Sequence, residues 1–270
     1  MSEGFDLRRR RQKGVLMAFY HIVFSPTGGT GRVTDLFMRA FCEESTYIDL
    51  CDRECDFSTF SFRKDDTCVI AVPSYGGRVP AAAVTRLKRM KGNQAAAVLI
   101  VVYGNRDYDD TFTELQDTLE DAGFVCAAAV AAVAEHSIMR QFAAGRPDQQ
   151  DEKELAGFAE TIRSHMEKGA LSLQTKLPGS RPYRKYDGVP MKPQAGKECT
   201  MCGLCAKKCP VGAIGAENPS GTDAGLCISC MRCIAVCPQK ARSVNKALLA
   251  AGNMMLKKAC SGYKKNELFL

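Results

Sequence analysis

The sequence predicts an α/β chain in two unequal parts: a doubly wound, five-stranded parallel sheet, then a small cysteine-rich domain. Three observations carry this. From Tyr20 to Arg163 short apolar, β-rich runs alternate with helical stretches, and from Cys199 to Cys237 one cysteine pattern occurs twice. Between them, residues 169–194 hold Pro178, Gly179, Pro182, Gly188, Pro190 and Pro193 with little apolar periodicity, the composition of an extended linker. A chain of 270 residues has room for two domains, one with a sizeable core. The expected boundaries are a disordered basic tail over 1–16, the sheet domain over 17–168, the linker over 169–194, the cysteine-rich domain over 195–243 and a docking segment over 244–270.

Charge is uneven along the chain. Basic residues outnumber acidic ones 5 to 2 over residues 1–17 and 16 to 5 over 171–270, but are outnumbered 16 to 23 over 18–170. A net charge of +7 therefore does not argue for nucleic-acid binding; it lets an acidic sheet domain attract a basic C-terminal part. The tail carries Arg8, Arg9, Arg10, Arg11 and Lys13 without the apolar stretch of a signal peptide, and Met17 is an alternative start. The longest apolar run, Phe124 to Ala134, suits a buried strand and falls short of the roughly 18 residues of a membrane span. A soluble, cytoplasmic protein is expected. Six cysteines lie outside the repeated pattern: Cys42, Cys51, Cys55, Cys68, Cys126 and Cys260. So many thiols point to a reducing, anaerobic setting.

Taken in order, the strands are expected at Tyr20–Ser25, Thr46–Leu50, Cys68–Pro73, Ala97–Tyr103 and Val125–Val133, and the helices at Gly31–Cys42, Ala81–Lys91, Asp109–Ala122 and Gln149–Lys168. Strands separated by helices imply right-handed crossovers and a parallel sheet covered on both faces. Such sheets bind ligands beyond the carboxyl ends of their strands. The loop after the first strand reads Ser25-Pro26-Thr27-Gly28-Gly29-Thr30-Gly31 and leads into a helix. Its glycines admit close backbone approach, and its hydroxyls and amides converge at a helix N-terminus that favours an anion. It has neither the Gly-Lys-Ser/Thr ending of an ATP-type loop nor G-x-G-x-x-G spacing.

This loop resembles the flavodoxin phosphate loop, S/T-x-T-G-x-T. The resemblance implies FMN, with Ser25, Thr27, Gly28, Gly29 and Thr30 in the phosphate-contacting positions. Two further loops fall where a flavodoxin sandwiches its isoalloxazine. After the third strand comes Pro73-Ser74-Tyr75-Gly76-Gly77-Arg78-Val79-Pro80, and after the fourth Tyr103-Gly104-Asn105-Arg106-Asp107-Tyr108-Asp109. The resemblance puts Ser74, Tyr75, Gly76, Gly77, Tyr103, Gly104, Asn105, Arg106 and Tyr108 around the ring, with Tyr75 and Tyr108 as stacking candidates. The chain has no Trp, so the tryptophan often found over the flavin in that family is absent. Arg78 and Arg106 are placed to bring positive charge near the flavin; a plain surface position is the alternative for Arg78. His136, in the loop after the fifth strand, reads as a hydrogen-bonded structural residue or a proton donor beside the flavin.

The cysteine pattern is C-x2-C-x2-C-x3-C-P, first at Cys199, Cys202, Cys205 and Cys209, then at Cys227, Cys230, Cys233 and Cys237. In such a run three close thiolates can cap one cubane while the fourth points elsewhere, so two runs imply two 4Fe-4S clusters with crossed ligation. Zinc sites pair two C-x2-C hooks over a longer loop and need no third cysteine or Cys-Pro, and a disulfide framework needs an oxidising compartment. The segment 195–243 resembles the two-cluster bacterial ferredoxin, a small α+β fold. The resemblance implies one cluster on Cys199, Cys202, Cys205 and Cys237 and the other on Cys227, Cys230, Cys233 and Cys209.

A flavodoxin-like domain followed by a two-cluster ferredoxin resembles the EFR1-type flavodoxin/ferredoxin fusion proteins of anaerobic prokaryotes. That implies a flavo-iron-sulfur electron-transfer protein serving a redox partner protein. The rival readings are a flavin-dependent reductase of a small organic acceptor, such as a quinone or nitro compound, and a ferredoxin whose sheet domain holds no FMN and only docks.

Overall fold

The computed structural model describes residues 11–12 and 15–270. Of the expected tail, residues 1–10 and 13–14 lie outside the described residues; Arg11–Gln12 and Val15–Leu16 pair as two-residue antiparallel strands.

Five strands, β1 (Phe19–Val23), β2 (Thr46–Asp49), β3 (Thr67–Pro73), β4 (Ala96–Tyr103) and β5 (Val125–Val133), run parallel in the order 2-1-3-4-5. This is the flavodoxin-like doubly wound order, with its switch point between β1 and β3. All eight residues of β4 are buried, because helices cover both faces of the sheet. On one face lie α1 (Gly29–Phe41) and α4 (Gln149–Glu167). Their apolar rows, Val33, Phe37 and Phe41 on α1 and Leu155, Ala159 and Ile162 on α4, share one core. Burying Phe37 or Phe41 stabilises the fold by about 1.5–3 kcal/mol each. On the other face lie α2 (Ala81–Leu87) and α3 (Thr111–Asp121), through Ala83, Leu87, Phe112, Leu115 and Leu119.

Element ends match the sequence reading closely, with one informative difference. The second helix was expected to reach Lys91 but stops at Leu87. Lys91 is drawn away to exchange backbone hydrogen bonds with Phe60 and Phe62. The start of α4 is as its sequence requires: Asp148 accepts from the N–H of Gln150 and Asp151, and the Asp151 carboxylate reaches back to Asp148.

The linker is a strap rather than a free spacer. Leu173 N–H donates to the Cys126 carbonyl at 2.7 Å, Leu177 is buried in the core of the α2–α3 face, and the Asp110 carboxylate accepts from the N–H of Ser180 and Arg184 at 2.8 and 2.7 Å. Gly179 has φ 126°, and a Cβ there would come within 2.3 Å of the Thr113 hydroxyl, so only glycine fits this crossing.

The cysteine-rich domain is closed by β6 (Gln194–Ala195) pairing antiparallel with β7 (Arg242–Ser243) and contains two short helices, α5 (Leu204–Lys207) and α6 (Arg232–Ala235). Its duplication extends to the backbone. Met201, Gly203 and Gly212 have positive φ, and so do Ser229, Met231 and Lys240, each displaced by the interval between Cys199 and Cys227. After it, α7 (Lys246–Cys260) is capped by Asn245, whose side chain accepts from the N–H of Ala247 and Leu248. The chain ends in β8 (Glu267–Phe269), which adds to β5 as an antiparallel edge strand, so the sheet has six strands where five were expected. A three-residue strand carries no readable period.

Candidate functional site

A cavity of about 460 Å³ opens at the carboxyl ends of β1, β3, β4 and β5, within the 300–1,000 Å³ usual for small-molecule sites. Its floor joins all three loops expected to hold a flavin. Thr27, Gly29 and Thr30 come from the first, Ser74, Tyr75 and Gly76 from the second, and Tyr103, Gly104 and Arg106 from the third. One end of the cavity is built by the start of α1. Its first-turn N–H groups lack intrahelical acceptors, Ser25 Oγ accepts only that of Gly31 at 2.8 Å, and no acidic side chain stands in that turn. Gly28 takes φ 92° at the N-cap.

Five expected contacts lie elsewhere. Ser25 and Gly28 support the loop from behind, lining a separate groove with Arg32 and Asp35. Gly77 faces Asp109, whose carboxylate would lie 2.2 Å from a Cβ, and its carbonyl accepts from Asp110 N–H at 3.0 Å. Asn105 is buried and donates through Nδ2 to the carbonyls of Cys260 and Gly262 at 2.6 and 2.8 Å, anchoring the end of α7. Tyr108, expected at the ring, packs edge-on against Tyr103 and Phe112 and donates its hydroxyl to Glu267 at 3.0 Å. Arg78 is absorbed in structure: its guanidinium makes a two-pronged pair with Glu114 at 2.8 and 2.7 Å and stacks on Tyr183. Arg106 does reach the cavity, with its charge paired to Asp109.

The roof is what sequence reasoning missed. Tyr186, Val189 and Met191 from the linker, Ile228 and Ser229 from the second cysteine run, and one face of α7 (Leu248, Gly252, Met255, Leu256) close over the loops. Gly252 permits this seat, since a Cβ there would come within 2.4 Å of the Met139 methyl. The apolar residues of α7 signalled packing, but nothing in the sequence distinguishes the cysteine-rich domain from the sheet domain as the surface it covers; it touches both.

His136 also lines the cavity. Its Nδ1 accepts from the N–H of Ile138 and Met139 at 3.1 and 3.2 Å, which fixes the proton on Nε2. Burial lowers its pKa and keeps the ring neutral. Burial also raises Tyr75 well above the usual phenol range, with the neighbouring Cys230 and Cys51 sulfurs acting in the same sense. Both residues are therefore uncharged, apolar-bodied walls with one polar tip.

The cysteines gather in two quartets. One hollow is lined by Cys199, Cys202, Cys205 and Cys237, a second by Cys209, Cys227, Cys230 and Cys233. Each half carries the same local contact: Ala213 N–H donates to Cys209 Sγ and Ala241 N–H to Cys237 Sγ, each at 3.3 Å. Among the described residues no group of three His, Cys, Asp or Glu side chains is set to hold a single metal ion. The first quartet is the outer one, with Cys202 exposed. The second abuts the cavity, through Ile228 and Ser229. Burial pushes the Cys230 thiol up to about 12 and that of Cys233 up to about 11, with Arg242 the leading influence in the opposite direction on Cys233. Loading these thiols with metal must therefore release protons.

Residues 198–242 match the family model of the 4Fe-4S dicluster domain. No curated protein sequence matches the chain. Among solved structures, the flavodoxin of Streptococcus pneumoniae TIGR4 is 17% identical, with 54% of this chain and 99% of that one covered at a TM-score of 0.39. A short-chain flavodoxin associated with a bacterial microcompartment is 15% identical, with 55% and 98% covered and a TM-score of 0.38. The apo form of an NADH:FMN oxidoreductase is 11% identical, with 58% and 95% covered and a TM-score of 0.41. The strand order, rather than these likenesses, makes the N-terminal part flavodoxin-like. The chain thus joins a flavodoxin-like sheet to a small ferredoxin-type 4Fe-4S domain. No described helix is long and apolar enough to cross a membrane.

Proposed function

We propose that the chain is an electron-transfer flavo-iron-sulfur protein of the EFR1-type flavodoxin/ferredoxin kind, exchanging electrons between two 4Fe-4S clusters and FMN and on to a redox partner protein. The observation that carries this reading is a shared wall. Ile228 and Ser229, between the first two cysteines of the second run, line the same cavity as the phosphate-type loop and both ring-type loops. Clusters carry one electron at a time, whereas FMN stores two and passes them on singly or as a pair.

The residues present fit both groups. Thr27, Gly29 and Thr30 would hold the phosphate on backbone N–H groups at the start of α1, and Tyr75, Gly76, Gly104 and Arg106 would flank the ring. Tyr103 adds its apolar body beneath, and His136 offers a fixed Nε2–H. Each crossed quartet supplies the four thiolates of one cubane. Two 4Fe-4S clusters beside six further cysteines suit a reducing, cytoplasmic setting.

A second reading, reduction of a small organic acceptor at the flavin fed through the clusters, is favoured by the roof of linker and α7. That roof covers the loops with the apolar side chains Val189, Met191, Leu248, Met255 and Leu256, and His136 adds a hydrogen-bond donor from the loop after β5. Anaerobic reconstitution followed by a redox titration that reads flavin and iron-sulfur bands together tests both. Bound flavin with iron and sulfide in cubane ratio is expected. Iron without sulfide removes the clusters, and absent flavin leaves only a ferredoxin with a docking domain. Turnover of a quinone or nitro compound with reduced ferredoxin as donor, and none with protein acceptors, selects the second reading.

A further inference from the structure

We propose that Arg242 is a shared counter-cation set between the two cluster sites, a positioning residue that raises the reduction potential of both. The inference rests on reading the two quartets as 4Fe-4S sites.

Arg242 follows the second cysteine run, on β7, where pairing with Gln194–Ala195 fixes its backbone. It is only 2% exposed. One terminal nitrogen donates to the Pro219 carbonyl at 2.6 Å and to Cys205 Sγ at 3.7 Å. The other donates to the carbonyls of Pro193 and Gly221 at 3.2 and 3.3 Å and to the Thr222 hydroxyl. These partners divide between the sites. Pro219, Cys205 and Arg242 itself line the first hollow, whereas Pro193 and Thr222 line the second. The guanidinium therefore stands in the wall common to both.

Among the described residues no carboxylate is hydrogen-bonded to the guanidinium. Every oxygen it reaches is a carbonyl or a hydroxyl, and among the described residues it forms no ion pair with Asp or Glu. Its Nε is buried without an acceptor. A buried guanidinium is costly unless negative charge lies close. The thiolate quartets and the clusters they would hold supply that charge on both sides. The coupling is mutual. One-electron reduction adds a negative charge to a cluster, so a fixed cation in the wall favours the reduced form of each and makes it easier to reduce.

The test uses the full chain, reconstituted anaerobically as wild type, R242Q and R242K. Iron and sulfide analysis is followed by potentiometric titration with dithionite, monitored by electron paramagnetic resonance. At wild-type iron and sulfide, R242Q is expected to lower both midpoint potentials, each by about tenfold in the reduction equilibrium, or about 59 mV for a one-electron couple. R242K keeps the charge and should hold both potentials within a third of that shift. Unchanged potentials in R242Q, or movement of one cluster alone, overturn the proposal. If R242Q loses iron while R242K retains it, Thr222→Asp, which sets a carboxylate against the guanidinium, must lower both potentials, and no change there overturns it. Loss of iron from R242K as well leaves Arg242 a structural part only and overturns it too. Wild-type protein that takes up iron without sulfide sinks the cluster reading itself, an outcome distinct from all of these.

Discussion

At Gly76 the backbone has φ 60°, and a Cβ would come within 2.2 Å of the Tyr186 ring. The linker reaches the cavity only because this position has no side chain. Gly76→Ala should lift Tyr186 from the roof and destabilise the fold by about 1–3 kcal/mol, as overpacking does. Urea unfolding and the fraction of flavin retained after gel filtration check it; wild-type values for both would mean that Tyr186 simply turns aside. At His136 the relevant force is burial, which lowers its pKa below the ordinary value of 6.5. The unfolded chain then binds the proton more tightly than the folded one, so the stability this ring contributes is full above pH 6.5 and is lost as pH falls through the depressed folded value. His21, lowered by burial as well, acts in the same sense. His136→Asn keeps an acceptor for the Ile138 and Met139 amides and removes the titration. Its urea midpoint should fall less steeply than wild type between pH 6.5 and 5, leaving the His21 share, and an unchanged slope would contradict the assignment.

Among the elements, the linker holds most of what the sequence could not disclose. Its composition, rich in Pro and Gly, predicts an extended linker, and residues 170–193 hold neither helix nor strand. Its path is set by side chains far away in the chain: Asp110 gripping two of its amides, Asp117 bonded to Arg181 and Tyr183, and Asp109 paired with Arg184 at 2.6 Å. None of these leaves a periodic trace. Asp110→Ala should remove both backbone anchors at a cost of about 1–3 kcal/mol for the unsatisfied N–H groups. Limited proteolysis is then expected to cut between residues 178 and 190 several-fold faster, with the sheet domain intact; an unchanged cleavage rate would show that Leu177 and the Asp117 and Asp109 pairs hold the strap without it. The strands were legible for the opposite reason. The buried runs of β3 and β4 are near-continuous in apolar residues, and β5, though mostly alanine, lies where the alternation of strand and helix demands a fifth strand. For the cysteines, spacing gives three close thiols and a displaced fourth, and the resemblance to the two-cluster ferredoxin implies the quartets that line the two hollows. The ring contacts were only partly so: Tyr75 and Tyr108 occupy similar loop positions, yet the chain end claims Tyr108 through Glu267.

For the molecule as a whole, the acidic sheet domain and basic C-terminal part meet at specific atoms rather than as diffuse surfaces. The most telling contact is Arg232, which sits between Cys230 and Cys233 and is 14% exposed. It lies 3.7 Å from the Asp49 carboxylate at the end of β2, and a second nitrogen donates to the Ser25 carbonyl at 3.5 Å, where the phosphate-type loop begins. Its Nε is buried with no acceptor, so the side chain is held by these two long contacts and by packing. One residue of the inner quartet's helix therefore braces the loop proposed to hold the flavin phosphate. Replacing it should loosen that loop without touching a thiolate. For Arg232→Met, which keeps the apolar stem and drops the charge, the FMN dissociation constant measured by fluorescence at fixed salt should rise about tenfold, a loss of about 1.4 kcal/mol of binding. Iron and sulfide should stay at wild-type levels. Raising the ionic strength should narrow the gap between variant and wild type only modestly, because a pair this buried is screened less than one in water. An FMN affinity equal to wild type, at equal iron, would mean that the two halves touch here without one stabilising the site of the other.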